Sequence, residues 1–451
     1  VRMEGLEPPC LPALDPKSSA STYFATSAAG HTKLYGNMNF ITNNNNPASK
    51  EAVKQGLCRR YRVLYRIARP CMQAEEAASL QKAVRFLVKA YEDRSRPSGE
   101  PYVEHPMEVA SIMAEKLALK TQAIIGALLH DVIVETPISE AVIEKEFGRE
   151  LAKIVVGVTQ LASAPSSAAA ERTARFKRIL SDSSPSSITI ILISLADCLH
   201  HLHRIDSLPA DQQQQLVDDA KRIYAPLLHR LGLEHMHAEL ADLQFKFTHR
   251  ALYEGIVRQL RASSLTQEGF LARFIAPIRA LLQELGLGYR IQGRTKSVAS
   301  IDHKMKTRHM AFEDMYDLYA IRIVFASSRS DEQAYCWLVY EIISKLYEPM
   351  HDRTRDWLTY PKATGYEALH LTVASTEGQW VEVQIRSARM DQDAEDGDAA
   401  HWKYKGEDMA QAVAELDKAW LRAAKQFLIR QGKHGAQPVA IHTSSLYVQQ
   451  S

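Results

Sequence analysis

From about residue 51 to 285, apolar residues recur at three- and four-residue intervals, the period of amphipathic helices. SLQKAVRFLVKAY, PMEVASIMAEKLA, TQAIIGALLHDVI and GFLARFIAPIRALLQELG show it most clearly. The polar ASAPSSAAAER segment, Ala162–Arg172, interrupts the pattern and reads as an exposed loop. After Gly286 the period changes: GYRIQG, YAIRIVFA, HLTVAST and WVEVQIR alternate or run β-branched, with helical patterns between several of them. The pattern predicts an α+β chain, with an all-α domain over 51–265 followed by a smaller α/β domain with a mixed sheet over 266–406. A helix reaching Gln431 and a polar tail make up 407–451. Residues 1–50, rich in Ser, Ala, Asn and Pro with asparagines at Asn43–Asn46, carry no period and read as a disordered leader.

Composition narrows the picture little. With 451 residues there is room for two or three cores, and a net charge of +2 gives no reason to expect long nucleic acid as a partner. The five cysteines, Cys10, Cys58, Cys71, Cys198 and Cys336, lie far apart without CxxC spacing, which suits free thiols in a reducing cytosol. No apolar run approaches the roughly 18 residues of a membrane span, and the N-terminus lacks the apolar stretch of a signal peptide. The expectation is a soluble, cytoplasmic protein with no membrane partner.

The densest chemistry lies in GRTKSVASIDHKM, Gly293–Met305. Arg294 and Lys296 are placed in a loop after the strand-like GYRI. Lys296, Ser300 and Lys304 recur every four residues and share a face if the segment is helical. A helix start there would add backbone N–H groups and a positive dipole end, a seat for phosphates; a solvated basic helix face fits the segment equally well. Two carboxylates accompany it. Glu382 shares one face of WVEVQIR with Gln384 and Arg386, opposite Val381, Val383 and Ile385. Asp317 and Arg322 are an odd number apart, so Asp317 must sit in the lead-in to its strand if both reach one pocket. Two such carboxylates suit Mg²⁺ bridging phosphate oxygens. PKATGYEALH adds Lys362, Tyr366 and His370 around a glycine turn, a set that suits nucleotide binding.

In that order, GRTKSVASIDHKM, YDLYAIRI, DRTRDWLTYPKATGYEALH, VEVQIRSARM and AEDGDAAHWKYK closely resemble the synthetase domain of the RelA/SpoT homologue family. Counting the first domain, the resemblance covers roughly residues 75–405. It implies a nucleotidyltransferase-like fold and transfer of pyrophosphate from ATP to the ribose 3′-oxygen of GTP or GDP, making (p)ppGpp in the stringent response. On that pattern Arg294 and Arg322 would sandwich the adenine, Lys296 and Lys304 would bind the donor phosphates, and Ser300 would hydrogen-bond beside them. Asp317 and Glu382 would hold Mg²⁺, and Glu382 would take the acceptor hydroxyl proton. Tyr366 would stack on guanine, with Lys362, His370 and Gln384 around the acceptor nucleotide. Each position keeps the family's residue type.

The all-α domain carries His105 in EHP, the His130–Asp131 pair at a helix end, and Asp197 in SLADCLHHLH. Imidazoles and carboxylates from separate helices form a plausible set for Mn²⁺ or a similar ion, although adjacent His–Asp pairs also occur at helix ends by chance. RPSGEPY, FGRELAKIVVGVTQL and IYAPLLHRLGLEHMHAELADL extend the resemblance to the family's HD-type hydrolase domain. That domain removes the 3′-pyrophosphate with a metal-bound hydroxide, and the likeness puts Arg96, Ser98, Gly99 and Tyr102 in a nucleotide pocket. Hydrolase-competent members read HDVVEDT where this chain reads HDVIVET, so Val134 replaces a glutamate and Glu135 keeps an acid next to it. Cys198 and His201 replace an arginine and a nucleotide-binding asparagine, and Arg204 a threonine. Valine neither relays a proton nor holds the attacking water, so hydrolysis is expected to be absent or very weak.

The expected function is therefore a GTP/GDP pyrophosphokinase with a degenerate HD domain. A bifunctional synthetase and hydrolase, and a nucleotide-sensing regulator in which neither site turns over, remain as alternatives. Full-length family members usually add C-terminal domains, including a TGS domain, that link activity to ribosomes and uncharged tRNA. This chain stops soon after the synthetase motifs, so those partners are expected only through domains it does not contain.

Overall fold

The computed structural model describes residues 47–92, 94–96, 100–162, 169–263, 269–286, 288–363, 365–396 and 418–432. The leader before residue 47 and the tail beyond 432 lie outside them. Two compact units result, one running to Leu227 and including helix Lys418–Gly432, the other starting at Leu228. The division thus falls well before the expected 265/266, because the helices over 234–263 share a core with the second unit's motifs.

Among the described residues the first unit is built on helices, of which α1 (Pro47–Ala68), α2 (Ala74–Ala90), α3 (Glu104–Leu117), α4 (Thr121–Leu129), α5 (Arg149–Ala162) and α6 (Pro185–His203) are the main ones. α6 is its centre, packed against α3 and α5. Pro185 opens α6, and the Ser184 hydroxyl caps it by accepting from the Ser187 amide at 3.3 Å. A Cβ on Gly157 of α5 would come within 2.3 Å of Ile190 Cδ1, so the α5–α6 crossing needs glycine there. Contrary to the expectation from composition, α6 is long and apolar enough to cross a membrane; most of it is buried inside this unit as a core helix. A second correction concerns the expected loop over 162–172. Residues 163–168 lie outside the described set, but Ala169–Leu180 is helical, so its last four residues belong to a helix.

The second unit comprises α7 (Glu234–Thr248), α8 (Arg250–Ser263), α9 (Phe270–Glu284), α10 (Val298–Arg308), α11 (Glu332–Leu346) and α12 (Ala388–Asp396) around one sheet. Its strands are β1 (Tyr289–Thr295), β2 (Tyr319–Phe325), β3 (Glu348–Pro349), β4 (Arg355–Asp356), β5 (Leu369–Ala374) and β6 (Trp380–Ser387). They run in the order β1-β2-β6-β5-β3, with β4 also paired to β5. β2 and β6 are parallel and the other pairs antiparallel, so the sheet is mixed, as the period change predicts. One face is apolar: Ile291, Ile323, Ile385 and Leu369 form a cross-strand row beneath α9 and α11. Its other face is polar and carries the site.

α10 does not pack on that sheet. Val298 and Ile301 join Phe245 of α7, Tyr253, Ile256, Val257 and Leu260 of α8, and Phe312 and Met315 in a separate core. Asp242 of α7 fastens this arrangement: its carboxylate accepts from the Val298 and Ala299 amides at 3.1 and 2.7 Å, the first free donors of α10. Burial raises the Asp242 pKa and the two amides lower it; burial wins, at about 6. A raised carboxylate pKa means that folding takes up a proton here, so this group's contribution to stability falls as pH rises from about 4 towards 6. Relative to Asp242→Asn, the unsubstituted protein should lose about 2 kcal/mol of unfolding free energy between about pH 4 and pH 7. Parallel denaturation curves for the two proteins across that range would contradict the assignment.

Candidate functional site

The polar face of the sheet gathers most of the residues singled out by sequence. Gln292, Arg322, Gln384, His370 and Arg355 line up as one cross-strand row through β1, β2, β6, β5 and β4. The neighbouring row holds positions 294, 320, 382 and 372. β1 extends through Thr295, so Arg294 belongs to a strand rather than the expected loop; its side chain lies outside the description. Asp317 precedes β2 by two residues, in the lead-in that the face argument requires.

Lys296 also departs from expectation. α10 starts at Val298, so Lys296 sits before the helix and not on its face with Ser300 and Lys304. A backbone bond from the Lys296 amide to the Leu318 carbonyl (2.8 Å) nevertheless brings it to Asp317. The Lys296 and Lys304 ammonium groups donate to opposite oxygens of Asp317, at 2.9 and 2.6 Å. Burial would raise the Asp317 pKa, and these two lysines overcome it and hold the carboxyl below its usual range. The α10 N-terminus is not the open phosphate seat expected of it. Asp242 takes the first two amides, and the Ser297 hydroxyl takes the Ser300 amide at 3.3 Å and lies 2.8 Å from the Ser300 hydroxyl.

A second group runs from β6 to the glycine turn. Gly365, at φ +76°, adopts a left-handed conformation that favours glycine, and the Lys362 amide reaches the Tyr366 carbonyl at 3.2 Å across it. The turn aims Tyr366 at the sheet. Arg386 Nη2 donates to the Tyr366 hydroxyl; the hydroxyl lies 2.8 Å from His370 Nε2, and His370 Nδ1 lies 3.0 Å from Glu382 Oε1. Burial depresses the His370 pKa more than Glu382 raises it. A neutral imidazole gives the chain one direction: the tyrosine hydroxyl donates to Nε2, and Nδ1–H donates to the carboxylate. Lys362 and Arg386 both stand 4.8 Å from the Tyr366 ring centre, and Lys362 is 3.9 Å from that of Trp357.

Sequence reasoning missed Asp391. On α12, buried at 8% side-chain exposure, it receives Arg290 at 2.7 Å and both Arg322 and Arg386 at 3.3 Å. One carboxylate thereby orients three guanidinium groups on the polar face. Sequence reasoning put Arg386 on the polar face with Glu382 and Gln384 but gave it no role, and the structure pairs it with Tyr366 and Asp391.

In the first unit, His105 near the start of α3, His130 and Asp131 just beyond α4, and Asp197 on α6 converge. His105 Nε2 lies 3.2 Å from Asp131 and 3.3 Å from Asp197, and His130 Nε2 lies 3.3 and 3.8 Å from the same two. These separations match donor atoms around one cation with bonds of roughly 2.0–2.6 Å. His105 Nε2, His130 Nε2 and Asp197 Oδ1 are buried and complete no aligned hydrogen bond among the described residues, an orphaned set that a metal ion would satisfy. The opposite ring nitrogens are held. His130 Nδ1 lies 2.7 Å from the Ala127 carbonyl, and His105 Nδ1 lies 3.0 Å from His200 Nδ1. His200 Nε2 reaches Glu108 at 2.6 Å, and Arg60 and Arg204 flank that glutamate. Burial keeps His200 neutral, so it donates to Glu108 and accepts from His105 Nδ1, which leaves His105 Nε2 facing the site, where a cation would displace its proton. Burial alone would depress His105; Asp131 and Asp197 instead push its pKa up to about 9, the mark of a site that attracts positive charge.

Tyr102 stacks on Tyr91 with ring centres 5.1 Å apart and Arg96 covers it at 5.0 Å; burial, with the nearby Asp131 and Glu135 carboxylates, raises the Tyr102 pKa. Ser98 and Gly99 lie outside the described residues. Val134, with 56% of its surface exposed, brings no polar group to this pocket.

Known proteins match both units. The family described as a region found in RelA / SpoT proteins matches residues 293–409, and an HD domain family matches 83–234. The chain is 34% identical over 350 residues to the bifunctional (p)ppGpp synthase/hydrolase SpoT of Escherichia coli (strain K12), covering 77% of this chain and 49% of that protein. It is 34% identical over 349 residues to a GTP pyrophosphokinase of Myxococcus xanthus, 76% of this chain and 45% of that one. The chain thus spans about half the length of the curated relatives it matches. Among solved structures, the small alarmone synthetase 1 of Bacillus subtilis bound to its product pppGpp shares 23% identity over 36% of this chain and 92% of its own, at a TM-score of 0.22. Two matched family regions in the same order as the two folded units, with a third of the residues shared along most of the chain, make this protein a member of the RelA/SpoT family.

Proposed function

We propose that the second unit transfers pyrophosphate from ATP to the 3′-oxygen of GTP or GDP, and that the HD-type unit hydrolyses the product weakly or not at all. The observation that carries this reading is the polar sheet face, where two lysines share Asp317 and a directed hydrogen-bond chain ends on Glu382. Before nucleotide binds, Lys296 and Lys304 neutralise Asp317. The donor triphosphate, with its denser negative charge, draws the ammonium groups to itself and releases the carboxylate. Asp317 and Glu382 then offer the hard oxygen donors that suit Mg²⁺, which when bound supplies charge neutralisation across the phosphates.

Arg322, fixed by Asp391, presents a flat guanidinium for the adenine, with position 294 in the adjoining row for the second layer. Tyr366 receives the guanine; Lys362, His370 and Gln384 surround the acceptor. Glu382 accepts the attacking hydroxyl's proton while His370 and Tyr366 hold its carboxylate in place. Alignment and charge compensation account for most of the rate in such transfers. A cytoplasmic site of action belongs to the same reading, since ATP and GTP are found there and the buried thiols Cys198 and Cys336 are unpaired.

One feature argues for a silent hydrolase: Val134 has no polar group to offer an attacking water. With Mg²⁺, ATP and GDP the protein should yield AMP and ppGpp. Glu382→Gln should cut that turnover by about 10²–10⁴-fold with an unchanged thermal melt; a variant keeping a tenth of the rate would remove Glu382 from the base role. With Mn²⁺ and ppGpp, the unsubstituted protein should leave the nucleotide intact. Release of pyrophosphate in that tube would establish the bifunctional alternative, and absence of AMP in the first would favour a sensing protein.

A further inference from the structure

Arg389 stands two residues before Asp391 on α12 and joins carboxylates from α11, from the segment before β5 and from α12 itself. Its Nε donates to both oxygens of Glu332 at 3.1 and 2.9 Å, and its Nη2 to Glu332 Oε2 at 2.7 Å. Glu332, at the start of α11, is only 4% exposed, and the buried Ser387 hydroxyl donates to its Oε1 at 2.7 Å. A carboxylate so deeply buried needs its cation, so Arg389 cannot swing away without leaving an unpaired charge. The guanidinium is thereby held in one place, with Nη1 left to face other partners. Nη1 lies 2.6 Å from Glu367 Oε2 and 2.8 Å from Asp393 Oδ2, one turn further along α12. The Asp393 side chain is more than half exposed, but that of Glu367 is largely covered.

Glu367 directly follows Tyr366 and precedes His370 by three residues. The backbone around it is tied on both sides, by the Lys362 amide on the Tyr366 carbonyl and by the Trp357 amide on the Ala368 carbonyl at 3.0 Å. Between these ties the Glu367 carboxylate is gripped by Arg389, while the Tyr366 hydroxyl meets Arg386 and His370 on the polar face. We propose that Arg389, acting through Glu367, is a positioning residue for the acceptor nucleotide. It anchors the segment over 366–370 so that Tyr366 and His370 stand where a guanosine di- or triphosphate meets them. This rests on reading the polar face as a synthetase site. α12 then serves both substrates, Asp391 orienting Arg322 on the donor side and Arg389 setting the acceptor side. Losing the Arg389–Glu367 pair falls on one nucleotide and spares the other, because Arg322, Lys296 and Lys304 keep their own partners.

The test measures ppGpp formation by the full chain with Mg²⁺, varying GDP at saturating ATP and then ATP at saturating GDP, beside a calorimetric titration with GDP alone. Its variants are Glu367→Ala, Arg389→Ala and the two combined. Glu367→Ala is the decisive one, since it leaves the buried Arg389–Glu332 pair and the fold intact. The expected result there is a KM for GDP raised about tenfold and a KM for ATP changed less than about twofold. GDP should also titrate more weakly, with the thermal melt unchanged. The double variant should match Arg389→Ala in its KM for GDP, because the two residues act as one unit. An unchanged KM for GDP in Glu367→Ala would overturn the proposal. Equal rises in both KM values would overturn it too, as the mark of a general loosening of the unit. If the unsubstituted protein makes no ppGpp, the synthetase reading itself fails, and the role of Arg389 with it. If it turns over and Glu367→Ala matches it, the synthetase stands and only the positioning role is refuted.

Discussion

The register of β6 is the constraint on which the polar face of the sheet depends. Val381, Val383 and Ile385 are fully buried on the apolar side, and Glu382, Gln384 and Arg386 alternate with them on the other. A slip of one residue would drive two charges and an amide into the layer beneath α9 and α11, at a cost of several kcal/mol for each group left unpaired. β6 also lies between β2 and β5, so its register fixes Arg322 on one side and His370 on the other. Apolar burial thus positions the polar chemistry. No loop has to find its own conformation to bring Glu382, Gln384, Arg322 and His370 into adjacent rows.

That arrangement was legible in the sequence because a period of two is local: WVEVQIR announces which residues share a face. The helices were legible for the same reason, and so was the need for Asp317 to precede its strand. What escaped was every partnership set by tertiary packing. Asp391 is one acid in the run DQDAEDGD, and nothing local distinguishes it from a solvated neighbour until α12 folds over β6. Asp242 looks like any polar position of an amphipathic helix, yet it reaches amides 56 and 57 residues away. Residues 228–263 were given to the first domain because their helical period matches what precedes them, and the period says nothing about which core a helix joins. The apolar reach of α6 was underestimated because scattered Ser, Thr and His residues break the run without making the helix polar.

The two candidate sites are poised in opposite electrostatic states. In the helical unit, buried imidazole and carboxylate atoms complete no hydrogen bond among the described residues, and the pocket draws positive charge strongly enough to raise a histidine to about 9. In the α/β unit the carboxylates are already satisfied, Asp317 by two lysines and Glu382 by His370. The first arrangement favours retaining an ion. The second favours exchange, because each lysine bound to Asp317 can be traded for a contact to phosphate at little net cost in charge.

Asp391 has a consequence beyond charge. A free arginine side chain samples many rotamers, and immobilising it on a flat ligand costs up to about 2 kcal/mol of conformational entropy. Arg322 is already restrained when the site is empty, because its guanidinium is held by a buried carboxylate that a second arginine also grips. A planar base laid against it therefore meets a surface whose disorder was removed during folding, and more of the stacking energy appears as affinity.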